Sequence, residues 1–275
     1  MHNTITQGTL IYGLRSEKYP NIPCYGIIIS ARCDLANCKI SRAYVISALN
    51  VEEWVNQIGL NLAIEELIKT KSNYLKDWSL KHNINFHIIE DFSLEEIIKN
   101  IKDKEIKIKN QDLLYKKWEE YLEYKKMLNN KAIITEHAYY KKILLKARDK
   151  LKEISNEKNT HFCYISVSEY NNTSSSKEGI IVDLLDLYQF PMELVERLEK
   201  DELDYLILKP EERISFNKST FLEDETDFIT VIGQIKSPCI EWLMQKFSFS
   251  FIRIGIDKPS DDDIDILFKK YGIED

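Results

Sequence analysis

The way apolar residues repeat along this chain changes twice, and no single kind of secondary structure accommodates both periods. Residues 9–14, 26–31 and 43–49 have the pattern of short strands, broken by a turn around Pro20 and Pro23 and by the polar stretch 32–39. One of these strands carries Ile27, Ile28 and Ile29 in succession, so it is apolar on both faces and has to be covered on both sides. Three strands cannot supply that cover. The first 49 residues therefore need neighbours from later in the chain.

From residue 50 to 158 the period becomes helical. Asn50 with Glu53 has capping-box spacing ahead of Trp54, Val55 and Ile58, and Ser93 with Glu96 repeats the device, with Phe92 and Ile97 placed as a hydrophobic staple. Leu114, Trp118, Tyr121, Leu122, Lys125 and Leu128 share one helical stripe, and Tyr140, Ile143, Leu144, Ala147, Leu151 and Ile154 another. The Asn129-Asn130 turn signal between them predicts two long antiparallel helices. Charged residues fill the opposite faces and read as solvated surface, with a partner groove or a basic binding face as the alternative.

After Thr160 strand patterns return at 161–167, 179–185, 203–208, 213–217 and 228–235. Short helices are expected from Pro191 and from Ser237 and Pro238, the latter continued by Ile240, Leu243, Met244 and Phe247 at helical spacing. A strand over 249–256 and a last helix, starting at Pro259 and Ser260 and stopping at Gly272, complete the reading. The predicted fold is α+β. Residues 1–49 and 159–275 form one discontinuous β-rich domain, with a barrel-like or mixed sheet, and 50–158 is a helical insertion. Two consecutive domains are the alternative.

The formal charge of -7, from 38 basic and 45 acidic residues, repels a phosphate backbone, so nucleic acid is not an expected partner without a local patch. No apolar run of membrane-spanning length is present, and Met1, His2, Asn3 and Thr4 lack the basic and apolar parts of a secretion signal. Five cysteines, an odd number spread over a long chain, read as thiols in a reducing compartment. A cytoplasmic protein is expected, with no membrane association. With only 8 glycines, the absence of a phosphate-binding Gly loop, H-E-x-x-H, G-x-S-x-G, kinase or Rossmann signature carries weight.

The stretch from Ser30 to Lys39 is the most informative for chemistry, because a loop leaving a buried strand is rigidly rooted. Arg32, Cys33 and Asp34 offer a guanidinium, a thiol and a carboxylate within one turn. Cys24, Cys33 and Cys38, with Asp34, His161 or Cys163 as a fourth ligand, only partly match the close cysteine pairs of structural zinc sites, and neither metal nor cofactor is assigned. Cys24, Cys163 and Cys239 read as small buried hydrophobes. Cys33 as a nucleophile would need a base such as His87 or His161. In a strand over 249–256, Arg253 would share a face with Phe249 and Phe251, a costly place for an unpaired cation, which predicts an ion pair between Asp34 and Arg253. Asp183 and Asp186 have the chemistry of nuclease carboxylates, but the Asp-then-Glu-x-Lys order that such sites need is missing nearby.

At Ser30, Cys33, Asp34 and Leu35, and at Phe251, Arg253, Ile254 and Gly255, the chain resembles a loosely defined group of mostly uncharacterised bacterial proteins. In that group a hydrophobic strand runs into a Ser-x-x-Cys-Asp-Leu or Ile motif, and the chain often ends in a helix followed by a phenylalanine-rich Arg-Ile-Gly strand. The likeness is confined to these two stretches. It implies an accessory protein of the kind encoded in phage-defence or mobile-element loci, beside larger ATPases or signalling proteins. The expected function is that of a cytosolic accessory or partner-binding protein whose β-rich body carries a Cys-Asp site and whose helical insertion docks a protein partner such as a neighbouring gene's product. Cys33 and Asp34 are its candidate catalytic residues, and Arg32, Asn37 and Arg253 its candidate binding residues. The rival is a hydrolase or nuclease using Cys33 as nucleophile, or a metal held by Cys, Asp and His.

Overall fold

The computed structural model describes residues 4–102, 111–130, 138–172, 179–200, 209, 211 and 228–252. Strands β1 (Thr9–Leu14), β2 (Cys24–Ile28) and β3 (Arg42–Asn50) come first, with the short helix α1 (Arg32–Ala36) between β2 and β3. After the helices come β4 (Phe162–Ile165), β5 (Tyr170–Asn172), β6 (Ile180–Pro191) and β7 (Thr230–Ile235). All seven join one antiparallel sheet in the order β4-β6-β3-β2-β1-β7-β5, so the three early strands form its centre and two late strands flank them on each side. The sheet curls into a half-barrel, and the fold is α+β.

Both sheet faces are buried, as three consecutive isoleucines require. On one face Ile11, Ile28, Val45, Leu49 and Ile181 pack with Trp54, Ile154 and helix α8 (Met192–Glu199), which contributes Leu194, Val195 and Leu198. The other face presents Leu10, Ile27, Ile46, Ala48 and Val182 to helix α9 (Cys239–Ile252), through Ile240 and Leu243. Odd and even residues of β3 thus face different cores, the period-two alternation of a central strand.

At the end of β3 the Asn50 side chain accepts from the Glu53 backbone N–H at 2.7 Å, the cap that the sequence predicts. Helix α2 (Val51–Trp54) passes through a π-helical turn, Val55–Gly59, into α3 (Leu60–Lys81). A side chain at Gly59 would meet the Trp54 ring, so the glycine lets the indole lie against the widened turn. The ring of Trp54, fully buried, meets Phe162 edge-on at 5.9 Å.

Helix α3 is the spine of the helical layer. Leu60, Ile64 and Leu67 pack with Tyr124 and Met127 of α6 (Gln111–Asn129) and with Ile143 and Ala147 of α7 (Tyr140–Ser155). Further along, Leu75 and Trp78 meet Ile89 of α4 (Phe86–Asp91), Ile97 of α5 (Leu94–Lys102) and Tyr121. The Ser93 cap forms, its hydroxyl accepting from the Glu96 N–H at 3.3 Å. Phe92 does not close the staple: it is 56% exposed while Ile97 is buried. The buried face of α6 runs through Leu114, Glu120, Tyr121, Tyr124 and Met127, displaced from the predicted stripe because two charged helices, α3 and α7, flank it there.

Two expectations near the C-terminus are revised. Residues 249–252 are the end of α9 and not the start of a strand, although Phe247, Phe249 and Phe251 alternate with serines. The serines fit a helix because Ser248 and Ser250 donate to the carbonyls of Met244 and Phe247 at 2.9 and 2.7 Å. The helix also opens at Cys239, one residue beyond Pro238. The expected elements at 203–208, 213–217 and 259–272 lie outside the described residues.

Candidate functional site

The end of β2 delivers the Arg32–Asn37 stretch to the surface. Ser30 accepts from the Tyr44 N–H at 2.7 Å, pinning the strand exit to β3, and Leu35 anchors α1 in the core. Cys33 is exposed, and its Sγ donates to Asp34 Oδ1 at 3.6 Å. Asn37 donates from Nδ2 to the Cys33 carbonyl at 2.7 Å, closing the short helix on itself. Arg32 reaches across to Glu241 on α9 at 3.7 Å. Four of the five predicted site residues are therefore brought together; Arg253, and with it the Asp34 to Arg253 ion pair, lies outside the described residues.

Neither candidate base for Cys33 sits on a neighbouring strand. His87 belongs to α4 in the helical layer, and His161 leads into β4, which β6 and β3 separate from β2. The cysteines that partly match a zinc pattern are dispersed: Cys24 and Cys163 lie in the cores on opposite faces of the sheet, while Cys33 and Cys38 are exposed. Among the described residues no group of three or more His, Cys, Asp or Glu side chains stands within ligating reach of one point. Burial pushes the Cys24 and Cys163 thiols up to about 12 and Cys239 to about 11, so these three are protonated apolar filling at neutral pH.

Beside α1, Ile29, Ser30, Tyr44, Leu187, Met244 and Phe247 line an open groove of about 400 Å³ between the sheet and α9. Tyr44 and Leu187 are 42% and 39% exposed at its mouth, and the Arg32 to Glu241 pair spans from α1 to α9 alongside. The apolar walls suit an apolar side chain, and the groove is of the size that receives one or two of them.

The opposite sheet face holds a polar cluster that the sequence reading set aside. The pairing of β3 with β6 jumps from Ile46↔Leu187 to Ala48↔Val182, so Asp183 to Asp186 bulge out opposite the single residue Ser47. The bulge puts Asp183 and Asp186 on one face, where simple alternation would separate them. Asp183, 2% exposed, accepts from Tyr19 at 2.6 Å and from the Leu185 N–H at 3.2 Å, and pairs with Lys18. Asp186 accepts from Ser16 at 2.8 Å, from Ser47, and from Tyr188 at 2.9 Å, while the Ser16 hydroxyl also accepts from the Lys18 N–H at 3.0 Å. Burial and the carboxylates hold the Tyr19 hydroxyl well above the usual tyrosine range, and burial does the same for Tyr188, so both remain donors. With three donors each, the two carboxylates are engaged in tying the β1–β2 loop to β3 and β6. The signal that would have found them is the pair of acids inside an otherwise apolar strand.

Comparison of the chain with protein-family models, with curated proteins and with solved structures finds no match. No described helix is long and apolar enough to cross a membrane.

Proposed function

We propose that the protein is a partner-binding accessory component of a bacterial system of the phage-defence or mobile-element kind, acting in the cytoplasm with the product of a neighbouring gene. Its docking surface is the groove between β3, β6 and α9, which receives an apolar side chain of the partner. The rim helix α1, with Arg32, Cys33, Asp34 and Asn37, supplies polar contacts around that anchor. The observation that supports this reading is the groove itself: Tyr44, Leu187, Met244 and Phe247 form an apolar recess that opens to solvent. Such a recess is a place for a buried anchor with a polar rim. Docking on the sheet and α9, and not on the helical layer, distinguishes this proposal from the sequence expectation.

The test is co-expression with the products of the flanking genes, followed by size-exclusion chromatography with light scattering. A complex should form with the wild-type chain and be lost in Tyr44→Glu/Leu187→Glu, while Leu145→Glu, on exposed α7 surface, retains it. Equal loss of the complex in both variants, or retention in the groove variant, would refute the docking site. Cys33→Ala should leave the complex intact, since the thiol contributes only to the rim.

A further inference from the structure

A second candidate site lies in the helical layer, independent of the groove. Glu120 of α6 is buried, its side chain 6% exposed, and it pairs with Lys71 of α3, whose side chain is 7% exposed. Lys142 of α7 approaches its other oxygen at 3.5 Å. Lys117, one turn earlier on α6, is half-buried beside Lys71, whose ammonium, together with burial, holds Lys117 below the usual lysine range. Two ammoniums thus pair with one carboxylate and a third stands beside Lys71, leaving two positive charges in excess among the described residues.

One turn beyond Glu120 stands Tyr124, completely buried, with a hydroxyl that has no hydrogen-bond partner among the described residues. Lys142 Nζ lies 5.7 Å from the Tyr124 ring centroid, and the Tyr139 ring lies 5.5 Å from it. A buried donor left unused is costly, an ammonium standing beside that of Lys71 is repelled by it, and both are relieved by the same kind of ligand. Burial, then Glu120, pushes the Tyr124 hydroxyl up to about 12, so it is a donor at neutral pH.

We infer that Lys71, Lys117, Lys142 and the Tyr124 hydroxyl form a binding site for a phosphate group, with Glu120 holding Lys71 and Lys142 in place. The charge count favours phosphate over a carboxylate ligand. A phosphate monoester carries about -1.5 to -2 charges at neutral pH and three strong acceptor oxygens, matching the excess, whereas a carboxylate would leave one ammonium uncompensated. Each Glu120 oxygen already faces an ammonium, so the remaining donor directions of the lysines point away from the carboxylate. Access is from the side of Lys142, whose side chain is 45% exposed. The phosphate could be free or carried on a small organic molecule, and the two sources are separable by experiment.

The full chain is titrated calorimetrically with inorganic phosphate, adenosine monophosphate and acetate, with ³¹P line broadening as a second readout. Inorganic phosphate should bind one to one. Lys117→Gln/Lys142→Gln should weaken it by about tenfold or more, and Tyr124→Phe by severalfold, from the loss of charge-assisted and hydroxyl contacts. Without ligand, Lys117→Gln should keep or raise the melting temperature, because it removes a like charge next to Lys71, so a loss of binding in that variant is not a loss of folding. Equal affinity for inorganic phosphate and the nucleotide identifies the bare phosphate group as the ligand; nucleotide binding more than about tenfold tighter identifies a phosphate ester. Acetate binding as tightly as phosphate, or the double variant binding phosphate as the wild type does, would overturn the assignment. So would the absence of any phosphate signal at millimolar concentration.

Discussion

The cluster around Asp183 makes a sharp thermodynamic prediction. Asp183→Ala removes the acceptor of three groups that differ in how they can be rescued. Lys18 is 48% exposed along its side chain, so its ammonium returns to water and its loss contributes no more than about 1 kcal/mol. Leu185 is 47% exposed, and its N–H can also find water. Tyr19 is 5% exposed and its hydroxyl has no such recourse, so it becomes a buried unpaired donor, costing about 1–3 kcal/mol. The expected destabilisation is therefore about 1–4 kcal/mol, most of it carried by Tyr19. Tyr19→Phe alone deletes one hydrogen bond to a charged acceptor and should cost about 1.5–3 kcal/mol. In the Asp183→Ala background the same change removes a donor already orphaned, so it should be neutral or stabilising. Urea unfolding followed by circular dichroism measures all four corners of the cycle, with an unchanged denaturant slope as the control that the unfolded state is unaffected. Single-variant losses that add to within about 0.5 kcal/mol would refute the network.

Three further predictions follow from local geometry. Gly13→Ala should destabilise the fold by several kcal/mol or abolish soluble expression, since Gly13 has φ +100° at a bulge of β1 and a Cβ there would run into the Phe228 carbonyl; a melting temperature within a few degrees of wild type would contradict this. In the native protein a disulfide-exchange reagent should titrate Cys33 and Cys38 rapidly, and Cys24, Cys163 and Cys239 only on unfolding, so a third fast thiol without denaturant would be a failure of the burial assignment. Burial raises Glu66, but its hydrogen bonds from Lys146 and Lys150 outweigh that and hold it below 4.5, so below this pH the unfolded chain binds the proton first and the stability it contributes is lost as pH falls through the lower folded value. The acid limb of a plot of melting temperature against pH should accordingly be shallower in Glu66→Gln, and an unchanged limb would show that the ion pairs carry no proton linkage.

Much of the framework was legible in the residues. Ile27 to Ile29 demanded cover on both sides, and the sheet provides it by placing β2 between β3 and β1, with helices over each face. The Asn50 cap was readable because it depends on residues three apart, and so was the exposed Arg32-Cys33-Asp34 turn. The failures arise where local pattern is ambiguous or a distant contact decides. Phenylalanine alternating with serine over 247–251 satisfies a strand template, yet a helix already begun at Cys239 needs no partner strand to continue, and serines that return their hydroxyls to the helix carbonyls do not stop it.

What the chain's order of residues determined by itself is therefore the periodic part: which segments are strands or helices, where the main helix starts, and that the first strands must borrow neighbours. The tertiary structure alone decided which charged groups meet. Asp183 and Asp186 share a face only because β6 bulges opposite Ser47, and Asp183 finds Lys18 and Tyr19, and Asp186 finds Ser16, across some 165–170 residues of chain. Lys71 and Lys142 meet Glu120, with Lys117 beside Lys71, only because α3 packs with both α6 and α7. Periodicity is a property of neighbouring residues and survives in the sequence, whereas the pairing of buried charges is set by chain closure over long separations and by strand register, which no local pattern encodes.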